Sequence, residues 1–190
     1  MLLVTGFEPF GGLQRNPSTD VAQALASGDV VTAVLPVEYR EIRKSLEALL
    51  AQPFDAAVLL GVAVSRSVIC PERVAINFRD PTRPDNDGQV PSRPEVVEDG
   101  PDAYFSTLPM DDMVTASRAA GVPAAISVSA GSYLCNAAFY LVRHLLDESK
   151  TPAGFIHLPP TPDLASGGGP PMALDDQIRG VGAMLDCLRR

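Results

Sequence analysis

The sequence predicts an α/β fold in which short β-strands alternate with amphipathic helices around one sheet. Runs of β-type residues and helical stretches follow one another along nearly the whole chain, the pattern of an α/β sheet. Ala56 to Gly61 is an uninterrupted apolar run, as expected of a strand buried on both faces. The length of 190 residues, with no internal repeat and no linker, suits a single domain spanning 1–190. A domain of that size buries roughly 70% of the surface that its unfolded chain exposes.

The elements follow in order. Leu2 to Thr5 reads as the first strand and Gly6 to Arg15 as a loop. Asn16-Pro17-Ser18 is a helix start, with Asn as cap and Pro in the first turn,. That helix is expected to run to about Ala26, and Val30 to Val37 is the next strand. Glu41 to Leu50 has helical spacing, with Ile42, Leu46, Leu49 and Leu50 on one face,. After the buried run, Val74 to Phe78 is again β-type. Arg79 to Pro101 turns polar and rich in Pro, Asp and Gly, a long loop or small excursion of the kind that is often functional. Met113 to Ala120 reads as a helix and Ala124 to Val128 as a buried strand. Gly131 turns the chain into a helix from Cys135 to Leu146, and Gly154 to Leu158 is a last strand. Residues 159–172 hold five prolines and three consecutive glycines, so a mobile surface loop is expected. Asp175 to Leu188 closes the chain as a helix.

Composition sets outer limits. Hydrophobic residues make up 46% and charged residues 20%, an ordinary globular balance. The net charge of -8 argues against nucleic acid as a partner, because phosphate contact needs clustered Lys and Arg. No apolar run reaches the ~20 residues of a membrane span. The start, Met1-Leu2-Leu3-Val4-Thr5-Gly6, lacks the basic head and cleavage site of a signal peptide,. Three cysteines with no C-x-x-C pair favour neither a disulfide framework nor a zinc site. A cytoplasmic location, no metal and no cofactor are therefore expected.

Ligands of open α/β sheets sit beyond the C-terminal ends of the strands. Four segments here reach such an end: the loops after Thr5 and Gly61, the turn at Ala130-Gly131, and the step from His157 into Pro159-Pro160. Cys135 lies in Ser129-Ala130-Gly131-Ser132-Tyr133-Leu134-Cys135-Asn136, where a helix begins. A helix start favours the thiolate, the nucleophilic form, although a free Cys is equally at home as a small buried hydrophobe. Cys187 sits in the last helix and Cys70 precedes Pro71-Glu72, without comparable surroundings. Of the two histidines, His144 suits a solvated helix face. His157 ends a buried strand, either as a rigidly held base at the sheet's rim or as a core histidine. A Cys–His pair needs a third group to orient the imidazole. Glu72, opening a β-type run, is a candidate, or else a strand-end carboxylate paired with Arg73. The loop Thr5-Gly6-Phe7-Glu8-Pro9-Phe10-Gly11-Gly12 lacks the pattern of a phosphate cradle,. Phe7 and Phe10 there suit the walls of a small apolar pocket, or plugs at the sheet's end.

Together these segments resemble pyrrolidone-carboxyl peptidase, also called pyroglutamyl-peptidase I, over nearly the whole chain. The opening from Val4 to Gly12 with Asn16-Pro17-Ser18, and Pro71-Glu72-Arg73-Val74-Ala75-Ile76-Asn77, are similar to the family's motifs. So are Pro84-Asp85-Asn86-Asp87-Gly88, the segment from Ser129 to Asn136, and Gly154-Phe155-Ile156-His157-Leu158-Pro159. The resemblance implies a three-layer α/β/α sandwich with a mixed central sheet, similar to phosphorylase/hydrolase-like folds, often assembled as a homotetramer. It implies a cysteine peptidase that releases N-terminal pyroglutamate from peptides, with Cys135 as nucleophile, His157 as base and Glu72 as its orienter. It places Phe7, Phe10 and Tyr133 around the lactam ring, with Asn16 near the ring amide. Two departures stand out: Val62 follows Gly61 where the family usually has Gln, and Thr82 stands where it usually has Arg. Arg83 or Arg79, or backbone amides at Cys135, would then serve the oxyanion. The alternatives are a catalytically silent lactam-binding homologue and a phosphorylase-like transferase on a related fold.

Overall fold

The computed structural model describes residues 1–164 and 170–189. Its elements in chain order are β1 (Leu2–Phe7), α1 (Pro17–Ala24), β2 (Val30–Leu35), α2 (Ile42–Leu49), β3 (Ala56–Val62), β4 (Cys70–Glu72) and β5 (Val74–Ile76). There follow β6 (Ala103–Phe105), α3 (Met110–Ala119), α4 (Leu134–Leu145), β7 (Ala153–Leu158), a 3-10 turn (Pro162–Leu164) and α5 (Leu174–Asp186). The central sheet has the order β2-β1-β3-β7-β4. Its first four strands run parallel and β4 pairs antiparallel with β7, so the sheet is mixed.

Alternation along the strands divides the core. Leu2, Val4, Val58, Leu60 and Ile156 face one layer, where they meet Val21 of α1, Met113 of α3 and Val181 of α5. Leu3, Ala57, Leu59 and Phe155 face the other, against Ile42 and Leu46 of α2 and Leu134 and Ala138 of α4. Burying a side chain such as Leu46 contributes about 1.5–3 kcal/mol. That is why a helix of only eight residues, too short to persist alone, holds here. The result is the α/β/α sandwich expected.

Two local expectations need correction. β1 runs on through Gly6 and Phe7, which pair with Val34 and Leu35 of β2, so the loop begins only at Glu8. Ala124 to Val128 is not a buried strand: it makes isolated bridges, Ile69 to Ala124 and Glu72 to Ser127, and Val128 is 70% exposed. It bonds along Ile69 to Arg73, through Ile69 N to Pro123 O, Ala125 N to Ile69 O, Ser127 N to Pro71 O and Arg73 N to Ser127 O, but the run is broken at Pro71, which has no amide to give. β4 and β6 carry too few residues to show a period in sequence. The stretch 79–101 is an ordered excursion: the Asn77 side chain accepts from the amides of Val96 (2.8 Å) and Val97 (2.9 Å) and donates to Val97 O (2.8 Å). Part of the expected mobile loop, residues 165–169, lies outside the described residues.

The two-stranded sheet of β5 and β6 covers the outer side of α4. Asn136 accepts from Ile76 N (3.0 Å) and donates to Ile76 O and Phe78 O (both 2.9 Å). Further along, Tyr140 Oη donates to Pro101 O at 2.7 Å and Arg143 Nε to Phe105 O at 3.0 Å. The helix that carries Cys135 is thereby clamped between two sheets.

Candidate active site

Register explains how three distant residues meet. Gly61 of β3 pairs with His157 of β7, and Cys70 of β4 also pairs with His157. Side chains two apart on a strand share a face, so Glu72 lies on the same face as Cys70, diagonal to His157. That face is covered by α4, whose first turn holds Cys135. Gly61 has no side chain, and a β-carbon added there would stand 3.1 Å from Cys135 Sγ. The sulfur thus rests against β3, beside the imidazole on β7. Gly131, at φ +77°, makes the left-handed turn that starts this approach, a conformation glycine adopts without strain.

His157 Nδ1 lies 2.8 Å from Glu72 Oε1, both residues being buried. Glu72 is fully buried, and its nearest cation is Arg66, with Nη2 3.5 Å from Oε1. It is therefore not the exposed partner of Arg73 that the sequence left open. Burial lowers the His157 pKa, but hydrogen bonds and charge from Cys135 and Glu72 outweigh it and raise the value to about 9. These contacts favour the protonated imidazole. Cys70 is also close by register, yet burial foremost pushes its thiol pKa up, against the partial help of Arg66. Cys187 caps the end of α5 in the opposite core layer. His144 is bonded to the Tyr104 hydroxyl at 3.0 Å rather than solvated.

Two cavities open on Cys135. One is a narrow recess bordered by Phe7, Phe10, Asn16, Val62 and Tyr133. Phe7 is 2% exposed and packs against Phe155 at 6.2 Å between ring centroids, so it is core plug and wall at once. Phe10 is half-buried with its ring 6.3 Å from that of Tyr133. Asn16 borders the recess, but its oxygen accepts from Ser18 N (3.1 Å) and Ser18 Oγ (2.8 Å) and its amide donates to Glu8 O (3.0 Å). It fixes the turn from β1 into α1. The other cavity, ≈ 380 Å³, also borders the sulfur, with Arg66, Arg83, Ser132, Tyr133 and His157 on its walls.

The 79–101 excursion supplies Arg83 to the larger cavity and braces the Phe10 loop. Asp85, buried, accepts from the amides of Tyr39 (2.9 Å), Asp87 (3.1 Å) and Gln89 (2.8 Å). Asn86 Nδ2 reaches Pro9 O at 2.9 Å, tying the excursion to the Phe10 loop. Thr82 turns back on Asp80, donating through its amide (2.9 Å) and hydroxyl (2.7 Å). The next residue, though exposed, reaches the wall of the cavities: the Arg83 guanidinium carbon stands 4.1 Å over the Tyr133 ring. Arg79 instead binds the carbonyls of Arg93 and Glu95 and stays away. Cys135 sits in the first turn of α4, which has no side-chain cap. First-turn amides have no intrahelical acceptor, leaving the Cys135 N–H able to meet an oxyanion.

Arg66 and Asn136 were not singled out in the sequence. Arg66 lies just past the end of β3, in one of the strand-end loops where ligands gather, and that position was its only signal. Among the described residues no group of three His, Cys, Asp or Glu could hold a metal ion. No helix there is long and apolar enough to cross a membrane.

A family model described as pyroglutamyl peptidase matches residues 1–190. The chain belongs to the pyroglutamyl peptidase family. It is 39% identical over 187 residues to the pyrrolidone-carboxylate peptidase of Vibrio parahaemolyticus, covering 95% of this chain and 88% of that one. To that of Thermococcus onnurineus it is 44% identical over 165 residues, covering 83% and 82%. Among solved structures it is similar to pyroglutamyl peptidase I from Bacillus amyloliquefaciens, with TM-score 0.92, 32% identity and coverage of 100% and 95%. It is also similar to the pyrrolidone carboxyl peptidase of Thermococcus litoralis, with TM-score 0.90, 35% identity and coverage of 98% and 91%. Family membership favours the peptidase over the silent homologue and the transferase.

Proposed function

We propose that the protein cleaves the peptide bond after an N-terminal pyroglutamyl residue, through Cys135, His157 and Glu72 within one domain spanning 1–190. The observation that supports this most is the chain of contacts from buried Glu72 and His157 to half-buried Cys135 at a helix start. The Cys135 thiolate attacks the pyroglutamyl carbonyl carbon, forming the C–S bond. The carbonyl oxygen becomes an oxyanion that the Cys135 amide meets, with the Arg83 guanidinium lending positive charge at the cavity rim. His157 gives its proton to the leaving nitrogen as the C–N bond breaks. Water then attacks the thioester, with His157 taking its proton, and pyroglutamate departs. Glu72 holds the imidazole by its Nδ1 and leaves Nε2 for the sulfur and the substrate.

The lactam ring is assigned to the recess beside Phe10 and Tyr133. That recess is narrow, ≈ 10 Å³, so the ring enters only if a wall moves. Tyr133 is held by its bond to Pro84 O at 3.0 Å and by Arg83. Phe10, on a loop with Gly11 and Gly12, is the wall that yields. Val62 brings no polar side-chain atom, so the lactam N–H and C=O are left to backbone partners.

For assembly we favour a homo-oligomer, a tetramer by the resemblance, and for location the cytoplasm. Ile76, Phe78 and Phe105, exposed by 41%, 42% and 66%, lie on β5, β6 and the residues next to them, on the side away from α4, and would pack between copies. The test of function is hydrolysis of a chromogenic pyroglutamyl amide by the purified protein. Turnover that vanishes in Cys135→Ala supports the assignment, and turnover that survives the substitution contradicts it.

A further inference from the structure

The leaving-group side of the site has a charge that the chain as a whole does not. The protein carries 23 Asp and Glu against 15 Lys and Arg, yet no Asp or Glu is among the described residues lining the ≈ 380 Å³ cavity. Its charged walls are Arg66 and Arg83, beside His157. Asp80 interacts with Arg83 from outside the lining. The carboxylate beside the imidazole, Glu72, is fully buried, bonded to His157 and 3.5 Å from Arg66. Its charge is therefore matched before it reaches the cavity.

The two arginines are not equivalent. Arg66 is a braced wall: Nη2 donates to Ser127 Oγ at 2.6 Å and to Ser129 O at 3.1 Å. Arg83 is exposed, and its guanidinium carbon stands over Tyr133, 4.1 Å from the ring centroid. A cation–π contact of this kind holds the charge in place beside the cavity. Tyr133 borders both cavities, so Arg83 stands where the chain beyond the scissile bond must pass.

Building on the function proposed above, we infer that this cavity is a subsite for a carboxylate on the residue directly after pyroglutamate, with Arg83 as its selecting group. The carboxylate comes either from an acidic side chain or from the free C-terminus of a pyroglutamyl dipeptide. A cationic residue in the same place meets like charge and is disfavoured. Charge pairs at a partly solvated rim are worth little each, so the preference is a few-fold and weakens with salt.

The test is a competition at low ionic strength among four peptides: pyroglutamyl-Glu-amide, pyroglutamyl-Ala with a free carboxylate, pyroglutamyl-Ala-amide and pyroglutamyl-Lys-amide. Product ratios read by mass spectrometry give relative kcat/KM even for a slow variant. The expected order places one or both carboxylate peptides about fivefold above the neutral amide, with Lys last, and which of the two leads identifies the source. At 0.5 M NaCl the spread should narrow, and in Arg83→Gln it should largely vanish whatever happens to the overall rate. Equal rates for all four peptides would overturn the inference, as would an unchanged spread in Arg83→Gln. Failure to cleave any of them would instead overturn the proposed function.

Discussion

Gly61→Ala probes the packing that brings the sulfur to the imidazole. The new methyl carbon would stand 2.6 Å from Phe155 Cζ, 3.0 Å from its Cε1 and 3.1 Å from Cys135 Sγ. Carbon atoms in comfortable contact sit roughly 3.5–4.0 Å apart, so Phe155 would have to retreat by about 1 Å. It has nowhere to go: Phe155 is fully buried between Phe7 and Phe139, each 6.2 Å away by ring centroids. Overpacking of this kind costs roughly 1–3 kcal/mol, more than the ~0.5–1 kcal/mol that Ala otherwise gains over Gly in a strand. The sulfur, which can move by rotation, would shift by a few tenths of an ångström. Misplacement on the order of 1 Å costs about 10²-fold in rate, so a fall of about tenfold or more in kcat/KM is expected. Steady-state kinetics on a pyroglutamyl amide, beside urea unfolding, measure both effects. A folded Gly61→Ala protein with undiminished kcat/KM would mean that the nucleophile does not lie against β3.

Protonated His157 carries the leaving-group step, and its pKa is raised to about 9, so activity should fall as pH rises through about 9. Glu72→Gln removes one of the contacts that raise it, which should move that falling limb to lower pH and cut kcat by about 10²–10⁴. An unmoved limb would show that Glu72 does not act on the imidazole. Phe10→Ala should raise KM several-fold with a stability loss well below the ~3–5 kcal/mol of a buried Phe. A large loss of stability with KM unchanged would make Phe10 a core residue. Cys70→Ala should keep most of its activity, since burial holds that thiol protonated. Loss of activity with the fold intact would give Cys70 a part in the chemistry.

The sheet was legible in sequence where burial on both faces writes a long apolar run, as in Ala56–Val62 and Ala153–Leu158. It was not legible at β4 and β6, three residues each, where neighbours rather than residue type decide pairing. Ala124 to Val128 has the composition of a strand, but its ladder with Ile69 to Arg73 is interrupted at Pro71. In the site, the Asn16 cap and the Gly131 turn are local events, and local residue types announce them. Arg66 is the opposite case, since its contacts with Ser127 and Glu72 exist only once β4 lies beside β7. The choice between Arg79 and Arg83 likewise turned on a feature outside the arginines, the bonds of Thr82 to Asp80, after which the next side chain reaches the cavity wall.

The central claim is that Cys135 alone supplies the nucleophile, in contact with His157. It is tested most directly by treating the protein with limiting iodoacetamide at pH 6.5 while following adduct position by mass mapping and turnover of a pyroglutamyl amide. The expected result is a single adduct on Cys135 that accumulates in step with the loss of activity, and more slowly in His157→Ala. A first adduct on Cys70 or Cys187, or full activity in protein alkylated at Cys135, would contradict it.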